Sequence, residues 1–170
     1  SGSHRDMNIG TLLSSIEALR GSFALLAHAG ARGASFAALR DIGMEAERKM
    51  LLATAGVNTH RGAIFNLGLL VAAAARRRVD HALQKFSCGD VVARVWGAEI
   101  AAARAQSPVS HGNSAYKKFA VGGARTAAAA GFPSVYNIGL PVLRRHLEAG
   151  HDRETAQIAT LLALMEYLPD

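Results

Sequence analysis

The stretch Ala55-Gly56-Val57-Asn58-Thr59-His60-Arg61-Gly62-Ala63 constrains this chain more than any other. It sets Asn, Thr, His and Arg between two glycines and has no apolar period of its own. Residues 36–52 before it carry helical spacing. After it, Ile64-Phe65-Asn66-Leu67-Gly68-Leu69-Leu70-Val71 leads into an alanine run. A polar turn pinned by glycines between two apolar helices presents its side chains at a pocket. Gly56 supplies a backbone position that ends the first helix. Asn58 or Thr59 can cap the next helix, whose free N–H groups form an anion site. Arg61 adds a forked phosphate donor, and His60 a group that titrates near neutral pH. On spacing alone, a capped interhelical turn with solvated charges accounts for these residues equally well.

The flanking patterns point to helices throughout. Half of the 170 residues are hydrophobic and only 6% aromatic, with alanine and leucine dominant. β-branched residues are too thin for a large sheet. The fold class expected is all-α, a compact single-domain helical bundle over residues 1–170. Residues 11–28 show one amphipathic face through Leu12, Ile16, Leu19, Phe23 and Leu26, and are expected to form one helix. Gly30-Ala31-Arg32-Gly33 reads as a breaker. A helix over 35–55 follows, with Gly43 inside it as a point of division. Further helices are expected over 63–78, 90–105 and 113–130, the last split at Gly122-Gly123. Val91, Val95, Trp96 and Ile100 are expected to turn inward. Gln106 to Gly112 reads as a loop. Ser134 can cap a helix over 135–147, which Pro141 kinks or restarts. Asp152 is a fitting N-cap for a last helix ending near Tyr167.

The net charge of +6 favours polyanionic partners. The arginines are dispersed and no basic-aromatic stripe appears, which favours phosphate-rich small molecules over nucleic acid. A single cysteine, Cys88, excludes an intramolecular disulfide and fits a reducing compartment. Residues 63–75 are the most apolar run, and Asn66 interrupts it at a length too short to span a bilayer. The expectation is a cytoplasmic protein with no membrane partner, and a homo-oligomer stays open. No zinc-ligand spacing and no Gly-x-x-x-x-Gly-Lys-Ser/Thr phosphate loop is present.

The run from Gly56 to Phe65 resembles the central motif of the triphosphoribosyl-dephospho-CoA synthase family. Ser1-Gly2-Ser3-His4-Arg5-Asp6-Met7 is similar to that family's early Ser-Gly-x-His-x-Asp-Met segment, and Glu47 with Met50 matches its Glu-x-x-Met spacing. Ser110-His111-Gly112, Gly123-Ala124-Arg125 and Gly131-Phe132-Pro133-Ser134-Val135 resemble its later segments. The matches stand in the family's order across nearly the whole chain. Two departures stand out. The family's upstream Lys-Pro-Gly-Leu-Val and its later Asp-Thr-Asn…Arg-Gly-Gly segments are not found, so the chain is expected to be a core piece of a longer member. Thr126 to Ala130 also lacks the Glu that often follows Gly-Ala-Arg.

The resemblance implies a transferase that joins ATP to the ribose 2′-hydroxyl of 3′-dephospho-CoA and expels adenine. Its product, 2′-(5″-triphosphoribosyl)-3′-dephospho-CoA, is the precursor of the acyl-carrier prosthetic group of malonate decarboxylase or citrate lyase. Displacement at an anomeric carbon calls for an acid, a base and carboxylates near the developing positive charge. A triphosphate calls for Mg2+ on carboxylates and for Arg donors. The resemblance therefore implies Glu47, His60 and Asp6 as catalytic residues, with Glu47 and Asp6 also holding Mg2+. It implies Asn58, Thr59, Arg61, Gly62, Arg5, His4, His111 and Arg125 as substrate- and phosphate-binding residues. The alternative is a non-catalytic helical binding or assembly module that retains the family pocket.

Overall fold

The computed structural model describes residues 7–105 and 123–167. Among these, every regular element is helical, as the composition implied. The helices are α1 (Ile9–Ala18), α2 (Ser22–Ala31), α3 (Phe36–Ala53), α4 (Arg61–Val79), α5 (Cys88–Ala105), α6 (Ala124–Ala129), α7 (Leu140–Glu148) and α8 (Arg153–Tyr167). A 3-10 turn at His81–Leu83 follows α4. The expected loop 106–112, with His111, and most of the expected helix 113–130 lie outside the described residues, as do His4, Arg5 and Asp6.

The single helix expected over 11–28 is two. Gly21 adopts φ +82°, a left-handed conformation that suits glycine, and the chain bends there between α1 and α2. By length and composition the run Ile9–Ala31 would be long and apolar enough to cross a membrane, more so than residues 63–75. The bend at Gly21 divides it, and Leu26, Ala29 and Gly30 of its second half are buried in the core. The expected breaker holds, since α2 ends at Ala31 inside the Gly30–Gly33 stretch. α2 continues through Gly30, and the left-handed residue is Gly33 at φ +75°. Gly30 is needed for packing, because a Cβ there would collide with the Ala72 carbonyl of α4.

α3 is continuous through Gly43, so no division occurs there. The Ser35 hydroxyl accepts from Ala38 N–H and caps it. At its end Ala55 and Gly56 take φ +52° and +86°, and Gly56 N–H bonds back to the Leu51 carbonyl at 2.8 Å. That six-to-one bond terminates the helix and throws the chain into the polar turn.

The main core joins α2, α3, α4, α5 and α6 around Trp96, Ile100, Val91 and Val92. Val95 is half-buried against it, and Val92 is an inward residue the spacing did not single out. Trp96 Nε1 donates to the Ala34 carbonyl at 2.9 Å, and Glu99 accepts from Phe36 N–H at 2.9 Å. These bonds fix the start of α3 to α5. Ser87 and Asp90 cap α5 reciprocally: Ser87 Oγ accepts from Asp90 N–H, and Asp90 accepts from Ser87 N–H, each at 3.0 Å. A smaller cluster of Leu19, Ala46, Met50 and Ile64 sits beneath the polar turn.

Beyond α6 the chain widens into a π-helical turn at Val135–Gly139 before α7. Pro141 cannot donate a backbone N–H, which accounts for the irregularity expected there. Ser134 has helical dihedrals and makes no side-chain cap. Asp152 does cap α8, accepting from Thr155 N–H at 2.8 Å.

Candidate functional site

A cavity of about 530 Å³ opens between α3 and α4, with α6 on its third side. The spacing of its lining follows from helix geometry. Arg40, Gly43, Met44 and Glu47 lie at i, i+3, i+4 and i+7 on α3 and share one face. On α4, Arg61, Gly62, Phe65 and Leu69, at i, i+1, i+4 and i+8, line the opposite side. Gly123, Ala124, Arg125 and Thr126 close the third wall, and Leu26, Phe36 and Leu39 reach it from the core. The result is an apolar floor below a polar rim. Three arginines stand on that rim, and Glu47 is the one carboxylate among the described lining residues.

Glu47 and Arg61 meet in an ion pair between α3 and α4. The Arg61 side chain is 57% exposed and that of Glu47 27%. Pairs this exposed contribute ~0–1 kcal/mol to stability, so folding alone does not explain the pairing. Asn58 holds the loop that presents Arg61: its Oδ1 accepts from Arg61 N–H at 3.1 Å and so caps α4. Among the described residues Arg125 has no carboxylate partner, and it lines the cavity directly.

The polar turn serves two sides of the molecule. Asn58, Arg61 and Gly62 line the cavity, whereas Thr59 and His60 turn toward α1. There Ser15, fully buried, lies 2.7 Å from His60 Nδ1 and 2.7 Å from Thr59 Oγ1. If Thr59 donates to Ser15, Ser15 donates to Nδ1, and the neutral ring carries its proton on Nε2. His60 N–H donates to the buried Met50 Sδ at 3.1 Å. Thr54 turns inward too, its hydroxyl 2.6 Å from the Val57 carbonyl. Gly56 borders a separate shallow depression with Arg48, Leu51 and Leu52. The residues therefore divide into a cavity set (Glu47, Asn58, Arg61, Gly62, Arg125) and a partly buried hydroxyl–imidazole cluster (Thr59 and His60 around the buried Ser15).

Sequence reasoning missed Arg40, Gly43 and Met44, although stepping back from Glu47 by helical spacing finds all three. It also missed Ser15. No sequence signal marks that residue, because its partners lie 44 and 45 residues away.

An apolar chamber below an arginine-rich rim, on an all-α frame, offers guanidinium donors of the kind that suit phosphorylated small molecules. The model of the ATP:dephospho-CoA triphosphoribosyl transferase family matches residues 1–170, and the chain belongs to that family. It is 41% identical over 176 residues to a probable 2-(5″-triphosphoribosyl)-3′-dephosphocoenzyme-A synthase of Pseudomonas fluorescens, and 42% identical over 175 to one of Azotobacter vinelandii. It is 37% identical over 179 residues to the 2-(5″-triphosphoribosyl)-3′-dephosphocoenzyme-A synthase of Pectobacterium atrosepticum. These alignments cover all of this chain but 59% of the first two relatives and 60% of the third. No solved structure matches.

Proposed function

We propose that the protein is a transferase that makes 2′-(5″-triphosphoribosyl)-3′-dephospho-CoA from ATP and 3′-dephospho-CoA, with release of adenine. The observation that carries this reading is the Glu47–Arg61 pair on the cavity rim, within a chain matched end to end by the family. The bond broken is the N-glycosidic bond of ATP, and the bond formed joins its C1′ to the dephospho-CoA 2′-oxygen. The hydroxyl proton leaves with a base, and adenine takes up a proton as it departs. As positive charge grows on the ribose ring, Glu47 is the cavity carboxylate that can offset it. Arg61 and Arg125 hold phosphate oxygens, and the N–H groups beginning α4 add to them.

Magnesium belongs to this reading. A Mg2+ ion carried by a polyphosphate uses one or two protein carboxylates, and Glu47 fits as one of them. The described residues hold no cluster of three acidic, His or Cys side chains, so the phosphates and Asp6 would supply the remaining ligands. The ion would neutralise phosphate charge. His60, held by Ser15 and Thr59 on the α1 side of the turn, would serve the reaction by positioning the turn that carries Asn58 and Arg61. The product would serve the acyl carrier of malonate decarboxylase or citrate lyase.

The test is adenine release by the full-length protein with Mg2+, ATP and 3′-dephospho-CoA. Release that requires both substrates supports the transferase. ATP binding without adenine release would favour a binding module that keeps the pocket.

A further inference from the structure

Two helical glycines on facing walls of the cavity have no explanation in the fold. Gly43 lies in the middle of α3, where glycine weakens a helix relative to alanine. It is not among the residues with positive φ, and a Cβ added there meets Ile64 Cγ2 at an ordinary 3.9 Å. Gly62, in the first turn of α4, has no positive φ either, and a Cβ there meets nothing within 4 Å. Gly68 and Gly97, also helical, differ. A Cβ at Gly68 would lie 2.9 Å from the Leu26 side chain, and one at Gly97 would lie 2.8 Å from the Ala129 carbonyl. Those two are packing glycines. At Gly43 and Gly62, a side chain would take up cavity space instead.

Each bare position has an arginine beside it. Arg40 stands one turn before Gly43, and Arg61 immediately precedes Gly62; all four line the cavity. Phe36, Leu39 and Phe65 form the apolar floor close by. Exposed backbone lets a flat ring lie closer than any Cβ would allow, and guanidinium forks suit the anionic end of the same ligand.

We propose that Gly43 and Gly62 are the bare walls of a slot for the flat nucleoside part of an adenine nucleotide, with Arg40 joining Arg61 at its phosphates. The proposal rests on the nucleotide reading above and adds two α3 residues to it. The slot and the arginines divide the work. Inorganic tripolyphosphate needs only the arginines, whereas ATP and 3′-dephospho-CoA need both.

Calorimetry on the full-length protein tests this, with ATP, 3′-dephospho-CoA and tripolyphosphate as probes against Gly43→Ala, Gly43→Leu and Arg40→Ala. Both Gly43 variants should melt at or above the wild-type temperature. Gly43→Leu should bind the nucleotide at least tenfold more weakly and Gly43→Ala by a smaller factor, with tripolyphosphate affinity kept within about twofold. Arg40→Ala should weaken nucleotide and tripolyphosphate together. Wild-type nucleotide affinity in Gly43→Leu overturns the slot and leaves the nucleotide reading standing. A fall in melting temperature, or equal loss of nucleotide and tripolyphosphate in the Gly43 variants, also overturns it. Absence of nucleotide binding by the wild type overturns both.

Discussion

The Glu47 carboxylate of α3 receives the Arg61 guanidinium of α4, joining residues 14 positions apart on the rim of one cavity. The pair spans the polar turn, so the turn's geometry sets where both charges stand. A phosphorylated ligand would compete with Glu47 for Arg61, and a cation carried with it would compete with Arg61 for Glu47. Binding and pairing are therefore linked.

From that linkage, Arg61→Ala should weaken ATP binding by about 1.5–3 kcal/mol, the size of a lost hydrogen bond to a charged group. Titration calorimetry reads this directly. Unchanged affinity in the variant, with the wild type binding, removes Arg61 from the site.

Ser15→Ala should destabilise the fold by about 1–3 kcal/mol, because it strips a buried partner from both His60 and Thr59. Thr59 Oγ1, 3.1 Å from His60 Nδ1, offsets part of the loss. Urea unfolding measures the change. A shift below about 0.5 kcal/mol, the range of neutral surface substitutions, would show that the cluster does not anchor α1 to the turn.

The Asp90 cap gives a pH dependence with a definite sign. The Ser87 hydroxyl and N–H hold the Asp90 carboxyl below its ordinary value. Its contribution is thus present above the unfolded-state pKa and is lost as pH falls through the lower folded-state value. Asp90→Ala should melt below the wild type at pH 7, and the gap should narrow as pH drops through the acidic carboxylate range. A gap that stays constant down to pH 3 contradicts the cap.

Much of the fold was legible because local rules and tertiary packing agree. Gly56 ends α3 with positive φ, Asn58 caps α4, and Asp152 caps α8, each signalled by residue type at a helix boundary. The break at Gly21 was not legible. Leu12 to Leu26 keep one helical period, while the two halves share α3 and otherwise pack differently: α1 on the turn, α2 chiefly on α4. Within the site, the sequence named the turn but could not say which of its side chains face the cavity. His60 and Thr59 are turned away by Ser15, through contacts that only the folded chain creates.

A Glu47 that acts on the reacting ribose as well as on Arg61 has a kinetic signature, read from the steady-state kinetics of Glu47→Gln in the full-length protein. The substitution keeps size and removes charge, and the pair it breaks is too exposed to matter much for stability. With adenine release as the readout, kcat and kcat/KM should fall together by orders of magnitude while the melting temperature stays within a few degrees of wild type. A rise in KM alone would assign Glu47 to ground-state binding of the magnesium–triphosphate. Wild-type turnover by Glu47→Gln would contradict that role and leave the carboxylate a partner of Arg61 alone.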